Sequence, residues 1–373
     1  MRRANVLHGS SWSVRLPGFG FWGIATVVGA PDMVLSQEAQ NDIRIDPVGV
    51  TAVSGVKSFA LNILKMATTT TVLQSIQTRA SVIEHRGTEM KALRPRVEDT
   101  FMDGLSTVDG TGATIGRSAP IKGIPKFPDP YQERKWMLER MAGAFRVIAR
   151  KGYVEGTAGH ISIRDPVDPE TFWINPLARH FGLMKASDMV HVNMKGEIIG
   201  GNYACINNAG FNIHSALHEA RPDVNAACHF HSIHGKAWSA FGRPLEMLNQ
   251  DACTFFKDHA VHDMFGGIAF EASEGERIAT ALGNKRCAIL KNHGLLTTGK
   301  TVDEAAFLYT LMENSCRIQL LAEAAVTSGI EKHLCPDAEA EYTYRLTTPD
   351  AMWLEFQPDY EYELAMSGGD FLS

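Results

Sequence analysis

The sequence lacks a basic surplus, a long apolar run and any CxxC pair, and each absence excludes a class of protein. The formal net charge over its 373 residues is −6, whereas nucleic-acid binding requires a concentrated basic face. No stretch approaches the roughly 20 consecutive apolar residues that a membrane-spanning helix needs. We therefore expect neither a nucleic-acid partner nor a membrane segment.

The six cysteines are scattered through apolar segments between Cys205 and Cys335. Disulfide-stabilised folds are short, secreted and dense in cysteine, and this chain is none of these. Reduced, mostly buried thiols are the favoured interpretation, and they predict a cytoplasmic protein. With 45% apolar and 21% charged residues, the composition is that of an ordinary globular chain with ample material for a core.

The chain changes character at a Pro-rich stretch over residues 120–130. Before it, an apolar, Gly-rich run over 19–30 loosely imitates a targeting segment, although Pro31 disfavours cleavage after Ala30. Translation starting at Met66 is an alternative. We predict a poorly ordered or targeting-like extension over 1–120, a globular domain over 121–345 and an acidic, aromatic tail over 346–373. The tail could cover a neighbouring subunit's cleft or serve as a docking strip.

Apolar periodicity predicts a sheet covered by helices. Helical spacing appears over residues 133–151, 208–221 and 301–325. Short apolar runs that are typical of strands cover residues 160–164, 171–175, 189–193, 225–231 and 287–290. Lys257, Asp258, His259 and His262 are polar, and we expect a loop over 257–262 that lines the mouth of a site.

Histidines gather at the ends of two of these predicted strands. Because strand side chains alternate with period two, His229 and His231 should lie on one face. His293 follows a second apolar strand, so the three imidazoles could form a metal site with open positions. The alternative is that hydrogen bonds alone satisfy them.

Other histidines are better explained without a metal. His214 and His218 stand four residues apart, but no motif glutamate lies between them, which favours a packing or surface role. His234 is interpreted as a supporting or structural residue.

Several motifs, in order, resemble the class II aldolase/adducin family. They are Gly156-Thr-Ala-Gly159-His160-Ile-Ser162-Ile-Arg164, then Arg221-Pro222-Asp223 leading to His229-Phe-His231, and Asn292-His293-Gly294-Leu295. The resemblance implies a three-layer α/β/α sandwich that assembles as a homotetramer. It implies His229, His231 and His293 as ligands of a divalent metal, with zinc expected ahead of Fe(II) or Mn. It also implies substrate binding at Gly159, His160, Asn175 and Asn208.

The chain departs from the family at the residue that moves the proton. Gly210 stands where family aldolases carry a catalytic glutamate, and a glycine cannot transfer a proton. The small residues that hold phosphate are also missing, with Leu177-Ala178 and Asn208-Ala209 in their places. Asp251 lies in a segment that the family brings near the metal, so it is our candidate replacement acid or base. The alternative is an ordinary surface aspartate.

These features predict a divalent-metal-dependent enzyme of the lyase type, acting on a non-phosphorylated, oxygenated small molecule. The metal would stabilise an enolate or carbonyl oxygen during C–C cleavage, decarboxylation or dehydration. Two alternatives remain open: an Fe(II) oxygenase on the same fold, and an adducin-like interaction protein without catalytic activity. Retention of the three histidines favours an enzyme, whereas loss of the glutamate favours the interaction protein.

Overall fold

The computed structural model describes residues 123–267 and 272–373, together with four two-residue strands nearer the N-terminus. The chain forms two compact units, Met1–Leu93 and Arg94–Ser373. In the first unit, two antiparallel pairs form: Trp12–Ser13 with Ile24–Ala25, and Ile45–Asp46 with Gly49–Val50. The extension predicted over residues 1–120, with its boundary, otherwise lies outside the described residues.

The described part of the second unit contains one eight-stranded sheet and seven α-helices. The strands are β1 (His160–Arg164), β2 (Thr171–Ile174), β3 (Val190–Asn193), β4 (Ile198–Gly201), β5 (Ala226–Phe230), β6 (His259–His262), β7 (Cys287–Leu290) and β8 (Gly294–Gly299). The helices are α1 (Pro130–Arg150), α2 (Asn208–Ala220), α3 (Ile233–Ser239), α4 (Ala272–Leu282), α5 (Val302–Val326), α6 (Asp337–Leu346) and α7 (Pro349–Ser367).

The strand order is β6-β7-β8-β5-β1-β2-β3-β4. Every neighbouring pair is antiparallel except β6 and β7, which are parallel and are connected through α4. Strand β5 lies between β8 and β1, with His229 opposite Leu296 on one side and His160 on the other. This pairing places the predicted metal-binding strand in the middle of the sheet.

The two faces of the sheet carry separate apolar cores, and strand β5 shows the alternation that divides them. Ala226, Cys228 and Phe230 pack with residues of α1, α5 and α7. Ala227 packs on the opposite face with residues of α2 and α4. Helices therefore cover both faces, and the predicted three-layer α/β/α sandwich is confirmed.

Most predicted elements of this sheet and its helices are present. Helix α1 begins three residues before the predicted start because Asp129 caps it, accepting a hydrogen bond from the Tyr131 amide at 3.0 Å, and Pro130 occupies its first turn. Helix α5 begins in the same way after Thr301, whose side chain accepts from the Glu304 amide. No helix within 123–267 or 272–373 combines the length and apolar character needed to cross a bilayer.

The predicted C-terminal tail is helical over most of its length and is packed into its own chain. Phe356 and Phe371 are fully buried in the core that α1 contributes to. Gly143 of α1 makes room for the Tyr360 ring, since a Cβ there would lie 2.2 Å from Tyr360 Cε2. Helix α7 is thus an integral part of the layer formed by α1 and α5.

The loop predicted over residues 257–262 was wrong. Residues 259–262 form the edge strand β6, and His259 is buried. Its Nδ1 donates to the Phe255 carbonyl at 2.7 Å, and its Nε2 accepts from the Leu245 amide at 2.9 Å. The polar residues misled the sequence interpretation because local backbone groups satisfy this imidazole inside the core.

Candidate metal centre

Three histidines converge at one end of the central strands of the sheet, where β5 ends and β8 begins. His229 is 1% exposed, whereas His231 and His293 are partly exposed. The three side chains each offer a nitrogen, and these nitrogens all lie within 4.8 Å of one another. The arrangement buries one ligand and leaves the other two accessible, as a site that must admit a substrate requires.

The turn between β7 and β8 places His293 beside the other two imidazoles. Asn292 adopts a left-handed conformation with φ of 58°, which asparagine tolerates better than most residues. Its amide donates to the Ser239 carbonyl at 3.1 Å, and the His293 amide donates to the Leu290 carbonyl at 2.9 Å. The His293 ring centroid lies 4.6 Å from that of His229 and 5.1 Å from that of His231.

Hydrogen bonding fixes which nitrogen of His229 is free. Nδ1 lies 2.8 Å from the Leu295 carbonyl oxygen, which can only accept, so Nδ1 carries the proton. The lone pair is therefore on Nε2, the atom available to a metal.

The protonation state of these three histidines also favours metal binding. Burial lowers the pKa of His229 well below its ordinary value, with His293 and His160 adding to the effect. Burial, followed by the neighbouring His231, lowers the pKa of His293 to about 4. Burial lowers the pKa of His231 as well, against an opposing effect of Glu155. Neutral imidazoles are the form that binds metal, so the donor set fits a divalent cation.

A buried carboxylate supports the strand end that carries the ligands. Glu313 of α5, 2% exposed, accepts hydrogen bonds from the amides of His234 at 2.9 Å and Gly235 at 2.6 Å. It also accepts from Ser232 Oγ at 2.5 Å. Ser232 directly follows His231, so Glu313 anchors the segment that leaves the metal centre. His234 Nδ1 lies 2.9 Å from the same carboxylate, which agrees with the supporting role predicted for it.

The space between β1 and α2 holds a chain of buried polar groups beside the metal centre. His160 Nδ1 lies 2.6 Å from His214 Nε2, and His214 Nδ1 is hydrogen-bonded to Ser162 Oγ. Ser162 Oγ also lies 2.8 Å from His218 Nε2. The His160 ring stacks on that of His229 with centroids 4.9 Å apart. His214 and His218 are therefore buried packing residues, one of the two roles that the missing glutamate favoured.

The predicted substrate-binding residues lie in different environments. Gly159 has φ of +101°, and a Cβ there would lie 2.7 Å from Phe230 Cδ1, so backbone and packing both require glycine. Asn175 is buried, and its Oδ1 accepts from the Ile161 amide at 3.3 Å. Asn208 is exposed at the first position of α2. His160 is the member of the set whose ring stacks on a histidine of the candidate metal centre, His229.

Asp251 lies outside the histidine cluster of its own chain. It is exposed and directly precedes the 3-10 helix Ala252–Phe255. Burial, together with the Asp251 charge, raises the pKa of Glu355 on α7. The Asp251 carboxylate therefore lies near Glu355 of the C-terminal helix and is not a member of the three-histidine group.

Sequence reasoning missed two carboxylates near the centre, Glu313 and Glu274. Glu274 of α4 is buried, with Oε1 3.3 Å from His262 Nε2 and Oε2 2.9 Å from Arg277 Nε. Its charge opposes the lowering of the His293 pKa that burial causes. A single glutamate within a helix is not part of a recognisable sequence motif. What marks these two glutamates is their burial, which the sequence does not show.

Comparison with known proteins identifies a family and several relatives. The model of the class II aldolase and adducin N-terminal domain matches residues 139–320. The meiotically up-regulated gene 14 protein of Schizosaccharomyces pombe is 47% identical over 252 residues, covering 68% of this chain and 98% of its own length.

Two further relatives carry names that describe reactions. Decarboxylase NovR of Streptomyces niveus is 41% identical, over 65% of this chain and 88% of its own length. The 4-hydroxy-3-prenylphenylpyruvate oxygenase/4-hydroxy-3-prenylbenzoate synthase of Streptomyces roseochromogenus subsp. oscitans is 40% identical, over 65% and 86%. Among solved structures, the L-fuculose 1-phosphate aldolase from Glaciozyma antarctica PI12 is similar, with a TM-score of 0.61 and 38% identity over 66% of this chain and 96% of that one.

Proposed function

Because this chain belongs to the class II aldolase and adducin family, we propose that it is a divalent-metal-dependent enzyme of the lyase type. The observation that carries the proposal is the convergence of three neutral imidazoles, from His229, His231 and His293, at one end of the central strands. A divalent cation bound there would supply positive charge that stabilises an enolate or carbonyl oxygen.

The substrate we propose is a non-phosphorylated carboxylic acid with an oxo or hydroxyl group next to the bond that breaks. Gly210 offers no carboxylate for the aldol reaction of sugar phosphates, and Leu177 presents an exposed apolar side chain where the family holds phosphate. The names of the two Streptomyces relatives, a decarboxylase and an arylpyruvate oxygenase, support decarboxylation of such an acid.

Oxidation by Fe(II) is the second candidate reaction, and the oxygenase named among the relatives favours it. Three imidazoles do not by themselves select one metal, so we propose zinc for a lyase and Fe(II) for an oxygenase, with Mn as an alternative lyase metal. An adducin-like interaction protein is the alternative without catalysis. Retention of His229, His231 and His293 as one group argues against it.

The assembly we propose is a cytoplasmic homotetramer with sites between subunits. Asp251 would then act as acid or base from a neighbouring copy, since its exposed position leaves it outside the cluster of its own chain. Gly159, His160, Asn175 and Asn208 are proposed to shape the substrate site, His160 by direct contact.

Metal content and a reaction assay together test the proposal. The purified protein, reconstituted with Zn²⁺, Fe²⁺ or Mn²⁺, should bind one equivalent of metal. With phenylpyruvate and 4-hydroxyphenylpyruvate as probes, carbon dioxide release without oxygen uptake indicates a lyase, and release with uptake indicates an oxygenase. Failure to bind any metal after reconstitution would overturn the proposal.

A further inference from the structure

Gly210 lies against an imidazole where any side chain would collide. A Cβ at this position would lie 2.4 Å from Cδ2, 2.8 Å from Cγ and 2.9 Å from Nε2 of His160. Gly210 is in the first turn of α2, where the Asn207 side chain accepts from its amide at 3.1 Å. Glycine is the least favourable helix residue after proline, so its presence here needs a reason. The room occupied by the His160 ring is that reason.

The His160 ring cannot easily swing away from Gly210. The residue is 4% exposed, its ring stacks on His229, and Nδ1 is hydrogen-bonded to His214 at 2.6 Å. Close packing on both sides leaves little room for another rotamer. His160 and His229 lie opposite each other on paired strands, and they therefore keep fixed positions relative to one another.

A buried chain of polar groups holds this arrangement from behind. His214 is joined to Ser162, and Ser162 to His218, all between β1 and α2. Buried polar groups are costly unless they are paired, and each side chain of this series is hydrogen-bonded to the next. Since Nδ1 of His160 is engaged with the chain, Nε2 is the nitrogen left for a ligand.

We propose that His160 and Gly210 form a specificity-determining pair in which the His160 imidazole occupies the space of a residue-210 side chain. His160 Nε2 contacts an oxygen of the substrate beside the metal centre, and His214, Ser162 and His218 are positioning residues that hold the ring. The pair selects substrates whose oxygen takes a hydrogen bond from a neutral imidazole. This inference rests on the proposed metal-dependent function.

The test uses Co²⁺-loaded protein and oxalate, a small dianion whose binding changes the visible absorption of the metal. His160→Phe keeps a ring but removes both nitrogens, and it should weaken oxalate binding about 10–100-fold, the worth of one hydrogen bond to a charged group. His214→Phe should weaken binding in the same direction, whereas His214→Gln, which can still hydrogen-bond, should restore most of it. His333→Ala, at an exposed position, is the matched control.

The steric contact between residues 160 and 210 is tested separately, through the midpoint of unfolding. Gly210→Ala should lower the midpoint in the unmodified background but not in the His160→Ala background, where the ring is absent. If Gly210→Ala lowers the unfolding midpoint equally in both backgrounds, the proposed pair is overturned. Unchanged oxalate affinity in His160→Phe would overturn it too. Cobalt binding without any oxalate binding by the unmodified protein would also overturn it. Absence of cobalt binding would instead overturn the proposed function itself.

Discussion

The Nδ1 atom of His229 donates a hydrogen bond to the main-chain oxygen of Leu295, across neighbouring strands, at 2.8 Å. This contact leaves the lone pair on Nε2, the nitrogen that is available to a metal. Loss of groups that merely support a ligand costs about 10–100-fold in metal affinity, and loss of a ligand should cost more. His229→Ala and His231→Ala should therefore lose stoichiometric metal, measured by elemental analysis. His333→Ala should keep it, and metal retained in both ligand variants would contradict the assignment.

Glu313 should be needed for metal affinity although it is not a ligand. Glu313→Gln removes the charge that accepts hydrogen bonds from the His234 and Gly235 amides, and we expect metal affinity to fall about 10–100-fold. Competition with a chelator measures the effect. Glu323→Gln, on the same helix but with its carboxylate bonded to Lys332 nearer the surface, is the control and should leave affinity unchanged.

Stability of the metal-free protein should fall as the solution is acidified below about pH 6.5. Burial lowers the pKa of both His214 and His218 to about 3. Below the ordinary histidine pKa the unfolded chain binds protons that the folded protein does not, so stability is lost as pH falls from 6.5 toward 3. Each histidine adds about 1.4 kcal/mol per pH unit in that window.

Urea unfolding at several pH values between 7 and 4.5 checks this dependence. His218→Gln removes one of the two titrating groups, so its stability should decline less steeply than that of the unmodified protein. Parallel pH profiles would show that His218 is not buried in its neutral form.

Sugar phosphates should be poor substrates despite the similarity to a structure named L-fuculose 1-phosphate aldolase. Loss of a positioned acid or base typically costs about 10²–10⁴ in rate, and Gly210 cannot supply one. We expect little or no cleavage of L-fuculose 1-phosphate in a coupled assay for the released ketose phosphate. Gly210→Glu alone should not restore it, because His160 fills the space. Rapid cleavage by the unmodified protein would refute the substrate class.

Asp251→Asn tests the proposed acid–base role once a turnover assay exists. Metal content should be unchanged, because Asp251 lies outside the histidine cluster. Turnover should fall about 10²–10⁴-fold, the usual contribution of such a group. Mixed oligomers of Asp251→Asn and His229→Ala subunits should regain activity if the aspartate acts across a subunit boundary. Normal turnover in Asp251→Asn would remove it from the mechanism.

The sequence predicted the elements whose signals are local. Short apolar runs located β5 and β7, and the period of 3.6 residues located α1, α2 and α5 to within a few residues. The spacing of His229 and His231 then predicted a shared face. What it could not predict was contact between distant residues, such as Glu313 with Ser232 or His160 with Gly210. These depend on strand order and helix packing, which no single segment encodes.

Polar residues led to a wrong loop prediction where the folded chain supplies buried hydrogen-bond partners. His259 and His262 suggested a loop, yet backbone groups bind the first and Glu274 binds the second. The role of Asp251 was inferred from the family resemblance, and it stays a prediction.

The bond between His229 and Leu295 joins residues 66 positions apart, and β5 also pairs with β1, well before it in the chain. Contacts of such range form only after the intervening chain has been made and folded. During synthesis, the ribosome would release His229 and His231 long before β8 could meet them. A metal ion would thus meet all three histidines together only after β8 has been synthesised and has paired with β5. Metal binding would therefore follow synthesis of the sheet.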